Sequence, residues 1–188
     1  DFSKIVVDNP IKQDGLYLSK IHYYEKDLII QSPKLRILSC NEDTIDVKIT
    51  DPFKDFLDEY DQIMISTVSD KSTDWFSKEL TKTKVAQIYK PSNIKCEHVN
   101  TASFKVDENV KVYSRDKELT VDCIEKDMEV ILLIHASYLV FYKSNCIPYF
   151  NSLQIKIKEK KPNHDFREIE ETSKKVAIKL NLEEFEFI

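Results

Sequence analysis

Hydrophobic and polar positions alternate from near the start of the chain. Over residues 16–24, Leu16 and Leu18 alternate with Tyr17 and Ser19, and a second apolar run, residues 28–31, follows the break Glu25-Lys26-Asp27. A period of two belongs to strands with one covered face, so these runs predict a hairpin, which Pro33 ends. A second hairpin is predicted from residues 35–40 and 44–50 across Asn41-Glu42-Asp43, with Ile45, Val47 and Ile49 sharing a face. The period then lengthens. Phe53, Phe56, Leu57, Tyr60, Met64 and Val68 recur at helical spacing, while Asp55, Asp58, Glu59 and Asp61 take the opposite side. With Asp51 as N-cap and Pro52 at the first helical position, this reads as an amphipathic helix of about four turns. A second short helix is expected over residues 72–80, capped by Ser72 or Thr73. After Pro91 the strand period returns and persists to about residue 160, and residues 165–188 begin helix-like and end acidic and aromatic. Two hairpins, a helix and then more strands suit a small β-barrel or sandwich with an inserted helix. The expected division is a barrel domain over 1–160 and a helical, acidic extension over 161–188.

One predicted hairpin differs from the others. In "HASYLVFYKSNCIPYFNSLQIKIKEK", residues 135–160, two runs rich in aromatics flank a polar break, and the second ends in a lysine ladder that continues to Lys160 and Lys161. The period of two puts Val140 and Tyr142 opposite Leu139 and Phe141. It sets Gln154, Lys156 and Lys158 against Leu153, Ile155 and Ile157. One face is then core and the other offers rings and ammonium groups. Single-stranded nucleic acid uses both: bases stack on aromatic rings for about 1–3 kcal/mol each regardless of sequence, and lysines follow the phosphates and release counterions. The plainer alternative is a solvated strand edge whose lysines discourage edge-to-edge pairing. A second ring-and-lysine cluster stands at Trp75-Phe76 between Lys71 and Lys78. There the plainer reading is a tryptophan plugging the core.

Composition narrows the chemistry. The single glycine, Gly15, rules out glycine-rich phosphate loops of the GxGxxG or GxxxxGKS type. Turns must rely on Asn, Asp, Ser and Pro. Cys40, Cys96, Cys123 and Cys146 are scattered, without a CxxC pair, and read as free thiols. No run reaches the roughly 20 apolar residues of a membrane helix, and residues 1–10 lack the pattern of a signal peptide. The four histidines fit no catalytic motif. Cys96 and His98 share a strand face but find no second pair of ligands. Neither a cofactor nor a metal site is expected, and no catalytic residue. The net charge of −5 is uneven, with residues 71–95 and the aromatic hairpin basic and the helix at 51–61 acidic. That balance suits one gripping groove better than indiscriminate duplex binding.

The blocks "LIIQSPKL", "ISTVSDKSTDWFSKEL" with "IYKPS", and "VILLIHASYLVFYKSNCIPYFNSLQIKIK", in this order, resemble a family of single-stranded DNA-binding proteins of the nucleocytoplasmic large DNA viruses, similar to OB-fold proteins of certain phages. The glycine-poor chain suits the African swine fever virus branch. The resemblance covers about residues 17–158. It implies a five-stranded Greek-key barrel of OB type with extra strands. It further implies sequence-independent, non-enzymatic binding of viral single strands in replication, repair or recombination, in the host's cytoplasmic viral factory, the nucleus or the virion. The last hairpin departs from the family pattern, having neither glycine nor tryptophan. Candidate stacking rings are Tyr17, Trp75, Phe76, Tyr142, Tyr149 and Phe150. Candidate phosphate contacts are Lys20, Lys34, Arg36, Lys78, Lys143, Lys156 and Lys158. Expected partners are single-stranded DNA, or RNA, viral replication proteins reached through the acidic C-terminus, and further copies of the chain on DNA, with no membrane. Two alternatives compete: a virion or scaffold protein whose aromatic face is a subunit interface, and a nuclease using Asp55, Asp58 and Asp61 with a divalent ion.

Overall fold

A computed structural model describes residues 1–96, 99–115 and 117–158. Glu97 and His98, Lys160 and Lys161, and the expected extension over 161–188 lie outside the described residues. The chain runs through β1 (Ile5–Val7), β2 (Ile11–Gln13), β3 (Leu16–Tyr23), β4 (Lys26–Asp27), β5 (Ile29–Gln31), β6 (Leu35–Cys40) and β7 (Thr44–Lys48) before two helices, α1 (Asp51–Phe76) and α2 (Lys82–Ile88). It continues as β8 (Ile94–Cys96), β9 (Val99–Lys105), β10 (Lys111–Ser114), β11 (Lys117–Leu119), β12 (Glu129–Tyr142) and β13 (Asn145–Lys158).

Five of these strands close on themselves. β12 pairs with β6, β6 with β7, β7 with β9, β9 with β13, and β13 returns to β12. Every joint is antiparallel except β9–β13, which is parallel. The result is a closed five-stranded β-barrel of the OB-like Greek-key kind, with an inserted helix, as expected. The remaining strands are additions along its margins. β12 and β13 are 14 residues each, well beyond the usual strand length, and pair along almost all of it, from Glu129↔Lys158 to Tyr142↔Asn145. Their far half forms an arm on which β3 lies, Tyr138↔Lys20 to Phe141↔Tyr17. Lys143, at φ 52°, turns the arm in place of the asparagine or glycine usual in so short a connection.

Helix α1 fills one opening of the barrel. Its buried side includes Phe53, Leu57, Tyr60, Met64 and Val68, and each such side chain contributes about 1.5–3 kcal/mol when fully buried. The Tyr60 ring stands 5.3 Å from Phe150, which in turn meets Phe104 edge-on at 6.0 Å. The helix is longer than expected. It runs 26 residues, its N-cap is Thr50 rather than Asp51, and residues 72–76 are its last turn, not the start of a second helix. It stops at Ser77, which takes the left-handed conformation and donates its amide to the Thr73 carbonyl. The true second helix, α2, is capped by the Thr81 hydroxyl.

Three other sequence expectations change. The first predicted hairpin is shorter: across its turn β3 meets only the two residues of β4, and β5 leaves to join β12, Leu133↔Gln31 to His135↔Ile29. Asp61 is buried rather than on the solvated helix face. Leu153 is exposed, because the register of β12–β13 shifts beside it and hands its inward place to Ser152.

Candidate nucleic-acid interface

Cross-strand partners share a face of a sheet, so the register maps the outside of the barrel. At the tip of the arm are Tyr142 and Lys143. Below them runs an aliphatic row, Ile11, Leu18, Val140 and Ile147, across four strands. The next row is Lys20, Tyr138 and Tyr149. Further down come Gln31, Leu133, Gln154 and Lys111, then Ile131, Lys156 and Tyr113. The last row is Lys158, Glu129, Arg36 and Lys48. Tyrosines and cations thus share one continuous outer surface, while Val130, Leu132, Ile134, Leu139 and Phe141 of β12 face inward.

Tyr138 and Tyr149 are directly opposed in register and half-buried, and neither ring packs on another aromatic among the described residues. Tyr149 also borders a cleft of about 490 Å³. This cleft opens where β9 and β13 touch at a single paired position, Asn151↔Lys105. Its walls bring in Lys90 and Lys105, with Asp46 as the opposing charge and Ser39, Ser92 and Ser103 as polar groups.

The wall carrying Lys90 is pinned from behind. Asp61 of α1 accepts hydrogen bonds from the Tyr89 hydroxyl at 2.9 Å, from the Ser92 amide at 2.7 Å and from the Ser92 hydroxyl. Burial pushes the Asp61 carboxyl above its ordinary value, and these donors offset part of that push. Next to it Asp58 accepts from Lys54 and, at 2.8 Å, from Asn93, and these bonds hold its carboxyl down. The Lys90 amide completes the attachment by donating to the Cys146 carbonyl at 2.8 Å. Cys146 itself is a buried thiol, pushed up to about 12 by burial and by Asp61.

The residues singled out in the sequence land in several places. Lys20, Tyr142, Lys143, Tyr149, Lys156 and Lys158 share the outer surface just described. Lys20 forms an ion pair with Asp27 at 3.4 Å, and the Lys143 ammonium lies 5.0 Å from the Tyr142 ring centre. Lys34 and Arg36 stand at the far end of that surface, beside a separate cleft. Tyr17 is 46% exposed but lies on the inward side of β3, at its open end, opposite Phe141. Phe150 is 5% exposed and packed between Tyr60 and Phe104, so it is a core ring with no face for a base. Trp75 and Phe76 both meet Phe141 edge-on, at 6.0 and 5.3 Å. The Trp75 indole donates to Asn9 at 3.0 Å, and its ring carries the Lys71 ammonium at 5.4 Å, so this cluster fastens α1 to the arm. Lys78 is exposed just past the end of α1.

Sequence reading counts Tyr138 among the rings of the aromatic hairpin and Lys90 in the basic stretch 71–95, but neither stands among the candidate contacts, and Tyr113, Lys105 and Lys111 are not singled out at all. The parity that turns Tyr142 outward carries through Val140 to Tyr138, so that ring was within reach. The others depend on strand partners that no local pattern reveals. Among the described residues no group of three or more His, Cys, Asp or Glu is placed to hold a metal ion, and no helix is long and apolar enough to cross a membrane.

A protein-family model described as "Family of unknown function (DUF5871)" matches residues 33–170. The chain belongs to this family. The match takes in the barrel from β6 through β13, together with both helices. No curated protein matches the sequence. Among solved structures, the chain is similar to the single-stranded DNA-binding protein from bacteriophage Enc34 in complex with ssDNA. That pair shows 12% identity and a TM-score of 0.49, covering 81% of this chain and 95% of the phage chain. A C-terminal truncation of the phage protein gives 13% identity and a TM-score of 0.49, over 84% and 96% of the two chains. The uncomplexed phage protein gives 13% and 0.46, over 86% and 95%.

Proposed function

We propose that this protein binds single-stranded DNA without reading its sequence and without a catalytic step, holding the strand along the outer face of the β12–β13 pair. The observation that carries this reading is the opposed pair Tyr138 and Tyr149, set among Lys20, Lys105 and Lys156 and bordering an open cleft. Rings presented outward suit bases, each of which has a π-face, and the flanking ammonium groups suit phosphates. Stacking on a ring and contact with a phosphate are open to every nucleotide, which is why the proposal includes no sequence preference.

Fluorescence anisotropy with a labelled oligothymidylate of about 12 nucleotides, within the ~4–16 covered by one OB-type barrel, tests this. Tyr138→Ala and Tyr149→Ala are each expected to cost about 1–3 kcal/mol of binding. Lys156→Glu with Lys158→Glu is expected to weaken binding and flatten its salt dependence. Unchanged affinity in the tyrosine variants removes the interface. Labelled strand incubated with Mg²⁺ or Mn²⁺ is expected to stay intact. The nuclease alternative lacks convergence: Asp61 is committed to Tyr89 and Ser92, and Asp58 to Lys54 and Asn93.

A setting in viral replication, repair or recombination, in a cytoplasmic factory, nucleus or virion, forms part of the proposal. Its support is the order of the sequence blocks described first. Contacts with replication proteins through the acidic C-terminus belong to the same proposal. One observation favours a second reading. Ile11, 71% exposed, heads the aliphatic row on the arm and suits an interface between copies of the chain. Light scattering without DNA separates the two, since the interface reading requires a large assembly insensitive to salt.

A further inference from the structure

A second basic cleft lies far from Tyr138 and Tyr149. It measures about 580 Å³ and is walled by Lys34, Arg36 and Lys48, with Asn100 on its rim. Arg36 of β6 and Lys48 of β7 are direct cross-strand partners. Like charges placed opposite one another in a sheet repel, so this arrangement weakens the fold locally unless an anion joins it. Neither of these residues, nor Lys34, forms an ion pair with a described residue. Two carboxylates share the cleft. Glu129 is the cross-strand partner of Arg36 on its other side yet makes no ion pair with it, and Asp51 accepts from Asn100 at 3.3 Å. Three cations therefore face two carboxylates, and the Asn100 amide, being neutral, leaves the Asp51 charge in place, so the cleft has an excess of one positive charge.

The cleft is continuous with the proposed interface. From Tyr138 to Glu129 is nine residues of β12, about 30 Å at roughly 3.3 Å per residue. Between them the outer face carries Gln31, Gln154 and Lys156, and Lys158 stands in the same row as Arg36. We infer that this cleft takes phosphate groups of the same single strand whose bases rest on Tyr138 and Tyr149, so that one strand spans the length of β12. The inference rests on the reading above and extends it to strand length: short oligonucleotides reach only the tyrosines, and longer ones gain the cleft.

The test uses the 188-residue chain and oligothymidylates of about 4 and about 16 nucleotides, the ends of the range for such barrels. Arg36→Gln with Lys48→Gln, checked by thermal melting for an intact fold, is expected to bind the short oligonucleotide as the wild type does. On the long one it is expected to lose affinity, with a salt slope smaller by about 1.4, at about 0.7 per phosphate contact. Equal loss on both lengths, or no loss on either, overturns the inference. Tyr138→Ala with Tyr149→Ala tests the underlying interface separately. Normal binding of that variant to both lengths sinks the tyrosine reading, whatever the cleft does. Inorganic phosphate titrated calorimetrically distinguishes the other source of the same chemistry. No heat is expected, and a heat present in the wild type but absent in the double variant assigns the cleft to a free anion and overturns its assignment to the strand.

Discussion

Asp58 and Asp61 stand three residues apart on α1 and are pulled in opposite directions. Burial raises the Asp61 carboxyl above 3.8, while hydrogen bonds, from Lys54 first and then Asn93, lower that of Asp58. A carboxyl raised by folding adds stability below its unfolded value and loses it as pH climbs through the folded value. A lowered one adds stability above the unfolded value and loses it as pH falls. Asp61→Asn removes the first contribution alone. The wild type is therefore expected to lose stability relative to this variant as pH rises above about 4, the ordinary carboxylate range. Thermal melts of both proteins across that range check the sign, and a difference that is flat or grows the other way refutes it. Helical spacing set Asp61 beside Asp58 on the solvated face. Its true position depends on the chain returning at Tyr89 and Ser92, residues 28 and 31 further on. No pattern within the helix contains that information.

The elements were legible where a single period runs unbroken. The β6–β7 and β12–β13 hairpins and the amphipathic face of α1 follow from spacing alone. The errors gather where tertiary bonds decide. Residues 72–80 carry a capping serine and a Trp-Phe pair, which read as a fresh helix. Ser72 instead serves the returning chain: its hydroxyl donates to the Ser69 carbonyl at 2.7 Å and accepts from the Leu80 amide at 2.9 Å. The Ser69 hydroxyl donates to the Leu80 carbonyl at 2.8 Å. Two serines thus satisfy both backbone groups of Leu80 and direct the chain from α1 into α2. Ser72→Ala leaves the Leu80 amide without its partner beside the core, a change expected to cost about 1–3 kcal/mol. Chemical denaturation measures it, and a cost near zero means the turn is held by something else. For the interface, parity gave the outward lysines and Tyr142. It could not give the cleft beside Tyr149, whose walls come from α2's exit, β8 and β9.

At the scale of the whole molecule, the barrel has one thin joint. Four of its five seams are antiparallel ladders, but β9 and β13 meet at Asn151↔Lys105 alone. The proposed cleft lies over this joint, with Tyr149 on one side and Lys105 on the other. Amides around Lys105 and Asn151 are therefore expected to exchange with solvent faster than those in the middle of the β12–β13 ladder, and to slow when oligothymidylate binds. Hydrogen-exchange mass spectrometry with and without the oligonucleotide reads both effects. Fast exchange that is indifferent to the strand separates the joint from binding. At the same scale, the proposed grip on a polyanion has to work in a chain of net charge −5. Lys20, Lys111, Lys156, Lys158, Arg36 and Lys48 lie in rows of one outer face in which Glu129 is the carboxylate named.

The order in which the seams are assembled has a consequence for the newborn chain. β12 is the partner of β3, β5 and β6, and the Leu132 amide finds its acceptor, the Ser32 hydroxyl, 100 residues earlier. On a ribosome β3, β5 and β6 therefore emerge with an edge bare and wait until β12 has been translated. Such distant pairings place folding toward the slow, millisecond-to-second end for small domains. During that interval the edges that await β12, with Ile29 upon one of them, are open to the wrong neighbour.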